Sequence, residues 1–117
     1  MHELSVAENI VEIIHQYVPA AERSLVRRVF ALVGQQSGIV ADSLVFGFQA
    51  ITAGTDLERS TLEIDSVPFV IQCHECGKES SPELGGRICL HCQSLNTSVL
   101  SGTELRIREI ETDDEEH

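Results

Sequence analysis

At 117 residues, 42% of them apolar, with no Trp and a formal net charge of −11, the chain has room for one small domain with an aliphatic core, or for such a domain carrying a smaller inserted one. That charge excludes the basic surface that DNA or RNA phosphates require and suits encounter with cations or a basic protein. The start, MHELSVAENI, lacks a basic segment followed by a continuous apolar stretch, and no run nears the ~18 apolar residues of a membrane span; a soluble, cytoplasmic protein is the expectation.

In chain order, Ser5-Val6-Ala7-Glu8 reads as a capping box, with Ser5 as N-cap and Glu8 reaching back. Ala7, Ile10, Val11, Ile14 and Val18 then recur at helical spacing, and Pro19 stops the helix. The stretch Arg27 to Gly34 is β-rich and bounded by glycines, which predicts a strand. A second helix should start near Asp42-Ser43, either of which can cap it, carry Leu44, Val45, Phe48 and Ile51, and end with Gly54 as its C′ residue. Thr61 to Asp65 and Glu104 to Arg108 both alternate polar and apolar residues, as strands with one buried face do. The expected fold is therefore α+β: one small sheet of strands near 26–34, 60–66 and 104–110, with two helices on one face. The final DDEEH reads as a solvated tail.

Between the last two strands the sequence changes character. Residues 67–100 are turn-rich, and Leu84, Ile88 and Leu90 cannot make a core by themselves. All four cysteines fall here, as Cys73-His-Glu-Cys76 and Cys89-Leu-His-Cys92. Two thiolates spaced C-x-x-C grip one metal from a single knuckle, and two knuckles close a tetrahedron around Zn²⁺. Disulfides do not suit a cytosolic chain, and a redox role uses one C-x-x-C opening a helix; iron in a rubredoxin-like site would take the same ligands. Bound metal would supply the folding free energy that this segment lacks. With four thiolates such a zinc is closed and activates no water. Gly77, directly after the first knuckle, suits a left-handed backbone; the second knuckle has Gln93 there.

The free N-terminus adds a second chemistry. With Met1 retained ahead of the large His2, the α-amine, the His2 backbone nitrogen and its ring Nδ1 can wrap one ion in fused chelate rings. Deprotonated amides favour a planar-coordinating ion, Ni²⁺ or Cu²⁺, over zinc. The positive end of the first helix opposes a cation, but lost amide protons neutralise the ion's charge.

Taken together, the Met-His-Glu start, a small αβ core, two late C-x-x-C knuckles and a return strand resemble the HypA/HybF family of hydrogenase-maturation nickel metallochaperones, over essentially the whole chain. That resemblance implies that His2 binds Ni(II), with the Met1 amine and the backbone amides of His2 and Glu3 beside it, and that Cys73, Cys76, Cys89 and Cys92 hold structural Zn(II). Nickel would be cargo rather than resident cofactor, and the Glu3 carboxylate would tune the site or contact a partner. Residues 1–66 with 101–117 would form the nickel-binding αβ domain, and 67–100 the zinc-binding subdomain. The implied partners are a nickel-handling GTPase of the HypB type, the [NiFe]-hydrogenase large subunit and urease maturation proteins. The chain departs from the family at Gln93, where members often carry a histidine; His74 and His91 lie inside the knuckles instead, His15 on the helix flank and His117 on the tail. A competing class is a zinc-ribbon adaptor that binds only protein. An enzyme is disfavoured, because no cysteine remains beyond the four, no Gly-rich phosphate loop occurs and no acid/base pair is marked out.

Overall fold

The computed structural model describes residues 3–113, so Met1, His2 and His117 lie outside the described residues. The elements run α1 (Glu3–Tyr17), a 3₁₀ segment (Ala20–Leu25), β1 (Val26–Gly34), α2 (Ala41–Thr52), β2 (Thr61–Val67), β3 (Val70–Cys73), β4 (Glu79–Ser80), a 3₁₀ turn (Glu83–Gly85), β5 (Thr97–Ser101) and β6 (Leu105–Thr112). The three expected strands form one sheet in the order β2-β1-β6, and a second, smaller sheet has the order β4-β3-β5. The architecture is α+β, with the four-cysteine segment inserted between β2 and β6.

The chain divides into two compact units, one of Met1–Ala31, Ile39–Asp65 and Arg106–His117 and the other of Leu32–Gly38 and Ser66–Leu105. In the first, α1 and α2 pack against each other. Val6, Ala7, Ile10 and Ile14 line the buried face of α1, and Leu44 and Phe48 that of α2. This is the apolar stripe that a surface helix needs. Gly47 sits where the helices come close: a Cβ there would stand 3.7 Å from Leu4 Cδ1 and 3.8 Å from Ala7 Cβ.

Both helix starts differ from the sequence expectation. Helix α1 already begins at Glu3, so Ser5 is inside the first turn and is not its N-cap. Tertiary contacts explain the extension, since Leu4 lies over Gly47 and the Glu3 carboxylate accepts the Val40 N–H at 3.0 Å. The N-cap of α2 is Val40, without a side-chain cap of its own; Asp42 and Ser43 fall one and two residues inside the helix instead. Gly54 does follow the C-cap in a left-handed conformation, φ +78°.

On the sheet, Arg108 of β6 reaches across the central strand. Its guanidinium stacks 5.0 Å from the Phe30 ring of β1 and meets the Asp65 carboxylate of β2 at 3.2 Å. Exposed cation–π contacts and ion pairs each contribute up to about 1 kcal/mol. Arg108→Ala is therefore expected to destabilise the chain by about 1 kcal/mol in denaturant unfolding; an unchanged midpoint would remove this cross-strand brace from the description.

The second unit takes in Leu32–Gly38, which the sequence pattern assigns to the αβ part. The reason is hydrogen bonding: Gln35 N–H donates to the Val67 carbonyl at 2.9 Å, Gln36 N–H to the Gly102 carbonyl at 2.7 Å, and Phe69 N–H to the Gln35 side-chain oxygen at 3.1 Å. Gly34, Phe69 and Gly102 pack backbone on backbone. A Cβ on Gly34 would overlap Gly102, and one on Gly102, held at φ +105°, would overlap Phe69. Only glycine fits there.

Candidate metal centre

Cys73 closes β3, which pairs antiparallel with β4 on one side and β5 on the other. The first knuckle is thus the tip of the β3–β4 hairpin, and the second is the loop leading to β5. Their backbones are near copies. Gly77 N–H returns to the Cys73 carbonyl at 3.0 Å and Gln93 N–H to the Cys89 carbonyl at 2.9 Å, with φ +77° and +65° at the two turning residues. Gln93 therefore adopts the left-handed conformation that glycine supplies in the first knuckle. Non-glycine residues enter this region at some energetic cost, and closure of the second knuckle requires it.

Each knuckle points backbone donors at its leading sulfur. Glu75 and Cys76 N–H lie 3.3 and 3.5 Å from Cys73 Sγ, and His91 and Cys92 N–H lie 3.3 and 3.5 Å from Cys89 Sγ. Such donors favour the thiolate. The Cys76 N–H is the largest influence holding the Cys73 thiol below its ordinary range, and the Cys92 N–H brings the Cys89 thiol down to about 6. For Cys92 the Ser94 N–H also favours the thiolate, but the Cys73 sulfur, burial and the sulfurs of Cys76 and Cys89 outweigh it and push the group up to about 12. Four crowded sulfurs cannot all ionise without a cation among them.

All four sulfurs lie within 4.8 Å of one another. Cys73–Cys92 and Cys76–Cys89 are separated by 3.5 and 3.7 Å, far beyond the ~2.0 Å of a disulfide. A tetrahedron with metal–thiolate arms of about 2.3 Å has edges of about 3.8 Å, so the cluster fits a structural metal site. Metal replaces protons on these thiols and the loaded state carries fewer of them, so affinity rises with pH. Acidification is therefore expected to weaken the site, so that metal captured by a chromogenic chelator increases as the pH is lowered; retention independent of pH would contradict this.

Several supports were not legible in the sequence. Ser80 Oγ accepts the Leu90 N–H at 3.3 Å, and Thr97 Oγ1 donates to the Arg87 carbonyl at 2.6 Å, tying the second knuckle to β4 and β5. The knuckle histidines are exposed but engaged: His74 Nε2 lies 2.9 Å from Ser98 Oγ, and His91 Nε2 lies 3.1 Å from the Glu79 carbonyl. His15 is exposed on α1. Leu84, Ile88 and Leu90 are 94%, 49% and 61% exposed, so they form no core, as the sequence implied. Of the nickel candidates only Glu3 is among the described residues, with its carboxylate on Val40.

A family model described as "Hydrogenase/urease nickel incorporation, metallochaperone, hypA" matches residues 1–112. The chain belongs to the HypA family. It is 39% identical over 114 residues to the hydrogenase maturation factor HypA of Trichormus variabilis, covering 97% of each chain. With the HypA of Aquifex aeolicus the identity is 31% over 111 residues, covering 95% of this chain and 96% of that one. The solution structure of the Ni metallochaperone HypA from Helicobacter pylori shares the fold, with a TM-score of 0.65 at 22% identity over 96% of this chain and 97% of that one. HypA proteins are metallochaperones and maturation factors, not enzymes. Among the described residues, no helix is long and apolar enough to cross a membrane.

Proposed function

We propose that this chain carries Ni(II) at its N-terminus and passes it to the large subunit of [NiFe]-hydrogenase. The cargo ion is held by the Met1 amine, the His2 amide and imidazole, and the Glu3 amide. Zn(II) in the Cys73, Cys76, Cys89 and Cys92 cage is structural. The αβ part, 1–66 with 101–117, handles nickel, and 67–100 is the zinc-binding insertion. A HypB-type GTPase and urease maturation proteins are the further partners, and the cytoplasm is the place of work.

The observation that carries this proposal is the family match, which begins at residue 1 and so includes the Met-His-Glu start. The chemistry agrees with it. Amine, amide and imidazole nitrogens favour a planar-coordinating ion, whereas four soft thiolates at tetrahedral spacing suit a tetrahedral ion such as zinc. The two metals are sorted by donor type.

Nickel titration of the zinc-loaded protein against His2→Ala tests the proposal. The native chain should bind one equivalent through its N-terminus and His2→Ala should lose that site while keeping its zinc and its melting temperature. Equal binding by both would favour the protein-only adaptor.

A further inference from the structure

The one described residue of the nickel-binding segment has its side chain committed elsewhere. Glu3 Oε2 accepts the Val40 N–H at 3.0 Å, and Val40 is the N-cap of α2, which offers no side-chain cap of its own. A carboxylate there also meets the positive end of the α2 dipole. One residue on, Leu4 packs over Gly47 of the same helix, its Cδ1 standing 3.7 Å from where a Cβ at 47 would be. Two successive residues thus fasten the first turn of α1 to α2, one by a charge-assisted hydrogen bond and one by packing.

The geometry points to Glu3 as a positioning residue, whose carboxylate holds the first turn of α1 on α2 and so presents the adjoining nitrogen donors to nickel, without entering the metal's shell itself. The inference rests on the N-terminal nickel site proposed above. Its physical basis is preorganisation: a chelate assembled from an ordered chain end gives up less conformational freedom on binding than one assembled from a loose end.

Two variants separate this role from a ligand role. The amide oxygen of Glu3→Gln still accepts the Val40 N–H, whereas Glu3→Ala removes the acceptor. In metal-free protein, amide exchange at Val40 should quicken in Glu3→Ala and stay near native in Glu3→Gln. Nickel affinity should fall about ten-fold in Glu3→Ala, close to the low end of the worth of a hydrogen bond to a charged group, and return to within about two-fold of native in Glu3→Gln. Equal, large losses in both variants would make the carboxylate a nickel ligand and overturn the inference. Native affinity in Glu3→Ala, or unchanged exchange at Val40, would overturn it too. A His2→Ala chain that binds nickel like the native one would remove the site on which the inference rests; binding through His2 that is indifferent to Glu3→Ala would sink the positioning role alone.

Discussion

Cys76→Ser is expected to unfold the second unit while the first stays folded. Apart from cysteine, the buried apolar side chains of that unit are Val33, Phe69, Ile71 and Pro82, too few to hold it against chain entropy. Structural zinc contributes on the order of 10 kcal/mol to such segments, and a serine hydroxyl is a poor replacement for a thiolate. Because Cys76 is exposed, its replacement leaves no cavity, so the effect reports on the metal. Bound zinc should drop from one equivalent towards none. Amide protection across 66–105 should fall by on the order of a hundred-fold or more, with the Ile10, Ile14 and Phe48 amides of the helices close to native. Uniform loss of protection along the whole chain would show that the two units do not unfold separately.

Adding a few residues ahead of Met1 is expected to abolish specific nickel binding and leave zinc and fold intact. The extension turns the α-amine into an amide, which takes a donor from the chelate and breaks one of its fused rings. Loss of a mere supporting partner costs a metal site up to about 100-fold, so loss of a direct donor should cost at least about that much. The four-cysteine cage begins at Cys73 and should not respond. Calorimetric titration of the extended and native chains, each with zinc content measured, provides the comparison. Native affinity in the extended chain would refute the amine as a ligand.

The αβ part is legible in the sequence because its helices, β1 and β2 bury one face each; β6 alternates in sequence although none of its residues is fully buried and Leu105 is exposed. Leu62 in β2 and the Ile10, Ile14 spacing in α1 announce themselves by period alone. Helix starts are less legible, because they depend on tertiary contacts. Ser5 and Asp42 have the right chemistry for caps, yet Leu4 on Gly47 and Glu3 on Val40 move both boundaries. In the insertion, the C-x-x-C spacing marks the metal cage, but the β4-β3-β5 sheet that carries it is too short to show a period. The membership of Leu32–Gly38 in that unit is equally hidden, since it rests on backbone bonds from Gln35 and Gln36. Composition does give the sense of the insertion: few buried apolar residues, hence a metal.

X-ray absorption of the protein loaded with one equivalent each of zinc and nickel tests the central claim most directly. The expected nickel spectrum shows a planar, nitrogen-rich shell that includes an imidazole and no sulfur, with the imidazole contribution lost in His2→Ala and all sulfur scattering found at the zinc edge. Sulfur at nickel, or an imidazole signal that survives His2→Ala, would contradict a carrier that grips its cargo by the chain's own first residues.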